Sequence, residues 1–184
     1  METRNATRLC IVRHGETDWN IEKRIQGHID VPLNAIGEAQ ARATAAGLRG
    51  WRFDAAYSSD LVRARRTAEI AVADRGLAVR PASGLRERHY GTLQGLTADE
   101  IRRRQPVDYG RYLARESDYG FGTGESLAEF AARVVAAVEA LASAHRGQQQ
   151  GAQRVRHGRT GGASAHGAPC TQHSRRQEPL ALDT

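Results

Sequence analysis

The chain has 184 residues, 40% of them hydrophobic and 26% charged, which is the composition of one globular domain with little room for a second. The formal charge of +6 is uneven along the chain: residues 147–184 hold five basic residues against Glu178 and Asp183, net +3, and the much longer remainder keeps 22 basic against 19 acidic, also +3. So mild a field, with aromatic residues at 5%, argues against a nucleic-acid reader with stacking platforms, and no stretch approaches the ~20 consecutive apolar residues that cross a bilayer.

Two further classes drop out on the same grounds. The polar start METRNATRLC has no apolar core of the secretory type, so a cytoplasmic location without membrane partners is expected. Cys10 and Cys170 are too few for a disulfide framework and lack the clustered ligands of a zinc site, so no metal is expected. Both read as reduced thiols, Cys10 as a small buried hydrophobe.

Along the chain, strand and helix signals alternate, which predicts an α/β fold with helices packed on a mostly parallel sheet. The apolar run RLCIVR (8–13) reads as a buried strand ending in a functional loop at His14-Gly15. Residues 36–48 are Ala-rich and read as a helix, and 54–58 as a second strand. Residues 61–72 form a predicted helix with Leu61, Ala64, Ala68 and Ala71 on one face and Ser59-Asp60 as N-cap types. A third short strand is expected at 77–81. Thr97 to Glu100 is a capping-box start to a short helix stopped near Pro106. Residues 126–144 carry the strongest helix signal: Leu127, Phe130, Val134, Val138 and Leu141 recur at three and four, after Ser126-x-x-Glu129. After Gly147 the pattern fails. Val155, Leu180 and Leu182 are the only large aliphatics there, too few to offset the ordering entropy, so a disordered tail is expected.

The chemistry points to Arg13-His14-Gly15-Glu16-Thr17-Asp18-Trp19-Asn20, directly after the first predicted strand. Ligands of open parallel sheets bind beyond the carboxyl ends of the strands. A neutral imidazole is a good nucleophile at phosphorus, and a neighbouring guanidinium holds phosphoryl oxygens in its fork. Taken alone, Arg13-His14 reads equally as a surface dipeptide.

The segment RHGETDWN resembles the signature of the histidine phosphatase superfamily, which includes the cofactor-dependent phosphoglycerate mutases. Residues 30–40 (DVPLNAIGEAQ), 57–68 (YSSDLVRARRTA), 85–95 (LRERHYGTLQG) and Gly124-Glu125-Ser126 match the same family, so the resemblance covers roughly residues 8 to 145. It implies a three-layer sandwich of the phosphoglycerate mutase type. His14 would take the phosphoryl group as phosphohistidine, with Arg13 and Arg63 binding its oxygens and Asn20 assisting from the loop. Glu87 would be the general acid for the leaving oxygen and then the base for the acceptor. The competing readings are that Arg63 is a solvated arginine like its neighbours Arg65 and Arg66, and that Glu87 merely pairs with Arg86 or Arg88. Trp19 and His89 read as packing or pocket-wall residues.

The pattern breaks after the last predicted helix, where the family has an apolar strand ending in His-Gly. Here the region reads AQRVRHG, and His157 is the candidate second pocket histidine, although Gln153, Arg154 and Arg156 suit a central strand poorly. His166 and His173 are weaker candidates. The shift in composition suggests a reading-frame slip near residue 147, which divides the chain into an incomplete phosphatase-like domain (1–146) and an atypical tail (147–184), with the last strand and helix missing. The expected function is a phosphomonoesterase acting on a small soluble phosphate ester, without a cofactor. The alternatives are a phosphoglycerate mutase, with 2,3-bisphosphoglycerate as primer, or an inactive truncated or frame-shifted member. The oligomeric state, monomer or homodimer, is left open.

Overall fold

The computed structural model describes residues 7–146, so His157, His166, His173, Cys170 and the expected tail lie outside the described residues. Thr17 opens the first helix, α1 (Asp18–Ile21), through a capping box with Asn20. The next helix, α2 (Ala35–Gly47), begins where the Asn34 side chain accepts from the Gly37 amide. Strand β1 (Ala56–Ser58), helix α3 (Val62–Val72) and strand β2 (Val79–Pro81) follow as one unit. The two strands are parallel, with Ala56 opposite Val79, Tyr57 opposite Arg80 and Ser58 opposite Pro81. Parallel strands need a crossover, and α3 supplies it. The chain thus has the expected α/β architecture, helix-rich around a parallel sheet.

Helix α3 departs from the sequence expectation at its start and on its face. Its N-cap is Leu61, with no side-chain cap bond of its own. Asp30 reaches in from another segment and accepts from the Val62 amide at 2.7 Å. The buried residues of the helix are Arg63, Thr67, Ala71 and Val72, so the inward stripe runs 63, 67, 71, whereas Ala64 and Ala68 are half-buried. Polar residues won this face because Arg63 and Thr67 find hydrogen-bond partners inside.

Residues 8–13 also depart from expectation. They form no strand among the described residues, and Ile11 is 74% exposed, with Leu9 and Val12 also exposed. Cys10 is half-buried. Apolar composition states a demand for burial, but a strand exists only where a neighbour completes its ladder, and β1 and β2 complete each other's.

The second half carries its own small core. Leu93, Ile101 and Phe121 are buried together, with Ile25, Tyr90, Leu96, Tyr109, Tyr112 and Tyr119 packed around them. The expected capping box at Thr97 and Glu100 opens α4 (Ala98–Arg104). Pro106 does end that helix, but it also occupies the first turn of another, α5 (Pro106–Ala114), where its missing N–H costs nothing. The last helix, α6 (Leu127–Ala144), starts at the Ser126–Glu129 capping box and lies against the turn at Ser83–Leu85. Its apolar stripe is only half-buried. No described helix is long and apolar enough to cross a membrane.

Candidate active site

His14 is fixed by its own backbone neighbourhood. Its Nδ1 lies 2.7 Å from the Gly15 carbonyl oxygen. A carbonyl only accepts, so Nδ1 carries the proton and Nε2 keeps its lone pair. Burial, reinforced by the cationic Arg63 and Arg13, holds the imidazole pKa below its ordinary 6.5, although the Gly15 bond and Glu87 oppose the shift. A neutral imidazole with an available Nε2 is the form that attacks phosphorus.

The backbone beside it is packed too tightly for a side chain. A Cβ on Gly15 would stand 2.3 Å from the Gly37 carbonyl oxygen, and one on Gly37 would stand 2.1 Å from the Glu16 carbonyl oxygen. The motif loop therefore lies directly on the first turn of α2. Asn34 adds to this junction, accepting at Oδ1 from Gly37 and donating from Nδ2 to Glu16.

Arg63 is 1% exposed. Its guanidinium donates to the carbonyls of Ile29 (2.9 Å) and Gly27 (2.7 Å), which leaves three of its five N–H donors for another acceptor. Burial lowers its pKa against the opposing fields of Glu87 and Asp30. Arg65 and Arg66 instead lie exposed and pair with Glu69 and Glu38. The structure therefore separates the buried Arg63 from its exposed neighbours. Arg13 is exposed and lies within electrostatic reach of His14. The Asn20 oxygen is held by Thr17, accepting from its amide and hydroxyl, so only the Nδ2 hydrogens of Asn20 are left to donate to a ligand.

Glu87 is exposed, in a stretch (86–90) without regular secondary structure. Its Oε1 accepts from the Arg88 amide at 2.7 Å. Neither neighbouring arginine neutralises it: Arg86 forms a two-point pair with Asp60, and Arg88 is buried, donating to the carbonyls of Glu125 and Tyr119. Glu87 lies within electrostatic reach of both His14 and Arg63. Trp19 is half-buried beneath the Arg24 guanidinium. His89 meets His28 edge-on, with ring centroids 4.8 Å apart.

Several contributors were not anticipated. The Gln26 Oε1 is buried without a hydrogen-bond partner, one residue before the Gly27 that holds Arg63; such an orphaned acceptor is uncommon in folded proteins. Nothing local marks Gln26, whereas Thr67 was legible in principle, four residues after Arg63 on the same helical face. His28 donates from Nε2 to the Glu87 carbonyl oxygen at 2.8 Å. No group of three or more His, Cys, Asp or Glu among the described residues is arranged to hold a metal ion.

Residues 9–176 match the histidine phosphatase superfamily, branch 1. The chain belongs to that superfamily. Among its relatives, phosphoglycerate mutase-like protein 4 of Arabidopsis thaliana is 40% identical over 144 residues, covering 77% of this chain and 63% of the relative. A 2,3-bisphosphoglycerate-dependent phosphoglycerate mutase of Methylobacterium radiotolerans is 39% identical over 132 residues, covering 69% and 62%. A mycobacterial glucosyl-3-phosphoglycerate phosphatase, solved with VO3, superposes with a TM-score of 0.68 at 40% identity, covering 75% of this chain and 68% of that one. The chain spans about half to two thirds of the length of the curated relatives it matches.

Proposed function

We propose that this histidine phosphatase is a phosphomonoesterase that hydrolyses a small soluble phosphate ester through a phosphohistidine at His14. The observation that carries the reading is the state of His14: Nδ1 is committed to the Gly15 carbonyl, which leaves Nε2 with its lone pair, and the ring lies within electrostatic reach of Arg63, Arg13 and Glu87. Nε2 attacks phosphorus, the bond from phosphorus to the ester oxygen breaks, and the protonated Glu87 carboxyl gives its proton to the departing alcohol. Water then attacks the phosphohistidine, the phosphorus–nitrogen bond breaks, and the Glu87 carboxylate takes the proton released. Arg13, the remaining donors of Arg63 and the Asn20 amide would bind the phosphoryl oxygens and offset their charge. No metal or organic cofactor is assigned to these steps.

A second reading is a phosphoglycerate mutase, in which the phosphoryl group returns to a glycerate hydroxyl instead of water. It is favoured by the mutases among the relatives. Incubation with 3-phosphoglycerate, with and without 2,3-bisphosphoglycerate, separates the two by isomer against free phosphate. The phosphohistidine itself is tested with a labelled phosphate ester. An acid-labile, base-stable phosphoenzyme is expected from the parent and none from His14→Ala, and label retained in that variant would remove His14 from the nucleophile role.

A further inference from the structure

The segment that carries Glu87 has no regular secondary structure, so something outside it must set its shape. Arg133, on α6, supplies much of that. Its Nε and Nη2 form two short bonds to the Glu125 carboxylate, 2.6 and 2.7 Å. The same guanidinium donates to the carbonyls of Gly84 (3.0 Å), Arg86 (3.1 Å) and Glu87 (3.2 Å). Glu125 grips the far end of the same segment: Oε2 accepts from the His89 amide at 2.9 Å, and its own amide donates to the His89 carbonyl at 2.8 Å. Backbone groups of Gly84, Arg86, Glu87 and His89 thus converge on one two-point ion pair.

We infer that Arg133, locked by Glu125, is a positioning residue that aims Glu87 at the leaving oxygen. The inference rests on the reading of Glu87 as general acid. Glu87 is exposed and forms no ion pair among the described residues, so the aim of its carboxyl depends on where its backbone is held. A general acid acts only within hydrogen-bond reach of the oxygen it protonates, about 2.6–3.2 Å. Displacement by about 1 Å costs on the order of 10²-fold in rate. Arginine suits the clamp because one planar fork meets a carboxylate and still has donors for three carbonyls, which a lysine ammonium does not match. The Arg133 bonds also hold the Glu125 pKa down at about 2, so the carboxylate stays charged at neutral pH.

The test compares full-length Arg133→Gln and Glu125→Gln with the parent on two esters, glycerol phosphate with its poor leaving group and p-nitrophenyl phosphate with its good one. The clamp predicts a fall on the order of 10²-fold in kcat/KM for glycerol phosphate, and a much smaller fall for p-nitrophenyl phosphate, because kcat/KM reports phosphoryl transfer to His14 and not the water step that follows both esters. Adding Glu87→Gln to Arg133→Gln should then cost little more on glycerol phosphate than Glu87→Gln alone, because both act through one proton transfer. If Glu87→Gln shows the leaving-group pattern but the Arg133 and Glu125 variants lose equally on both esters, Arg133 is structural and the inference is overturned. If Glu87→Gln itself loses equally on both esters, or the parent turns over neither, the general-acid reading falls and the clamp with it. Arg133→Lys serves the same comparison should Arg133→Gln fail to fold, with partial rescue expected on glycerol phosphate.

Discussion

The Thr67 hydroxyl ties the motif loop to α3: its Oγ1 accepts from the Gly15 amide at 3.0 Å. The same hydroxyl donates to the Arg63 carbonyl at 2.7 Å. One buried side chain therefore links the residue after His14 to the helical turn that carries Arg63, and sets the spacing between the proposed nucleophile and the buried guanidinium.

Removing that hydroxyl without changing the shape should be costly. Thr67→Val leaves the Gly15 amide without its acceptor in a buried position, which is expected to destabilise the fold by about 1–3 kcal/mol. Thr67→Ser keeps the oxygen and should recover most of the loss. Urea unfolding midpoints of the three proteins check this, and equal midpoints for the valine and serine variants would show that the link contributes nothing.

The lowered pKa of His14 has a signed consequence for stability. The folded state holds the ring below its ordinary 6.5, so between the two values the unfolded chain binds more protons. The contribution is fully in place above about pH 6.5 and is lost as the pH falls through the folded value. Ring-proton titration by NMR, assigned with His14→Ala, should give a midpoint below 6.5. Stability should decline less in that variant than in the parent as the pH is lowered across this window.

Two glycine substitutions should move stability in opposite directions. Gly37→Ala forces a methyl to within 2.1 Å of the Glu16 carbonyl oxygen, and overpacking against backbone is expected to cost about 1–3 kcal/mol. Gly110, within α5, has nothing within 4 Å of its would-be Cβ. Gly110→Ala should stabilise by about 0.5–1 kcal/mol through the entropy of the unfolded chain. Thermal melts of both variants test the pair.

The sequence by itself determined the parts that rest on short-range physics. Ser126 with Glu129 and Thr97 with Glu100 announce helix starts because each side chain satisfies an amide three residues away. The β1–α3–β2 unit was legible from two short apolar runs around a helical one, and RHGETDWN with its companion motifs marked the family. Tertiary structure decided the rest, because it depends on partners far along the chain. Sequence placed an alanine stripe inside α3, but the buried stripe carries Arg63. A guanidinium goes inside only where acceptors await it, and those are the carbonyls of Gly27 and Ile29, more than thirty residues earlier. The expected strand at 8–13 shows the converse: its apolar side chains asked for burial, and Ile11 remains 74% exposed. Nothing local marks Arg133, and only the fold brings Glu125 and the carbonyls around Glu87 to meet it. A side chain's chemistry is written locally, but whether its charge is solvated, paired or aimed is settled by which distant backbone it meets.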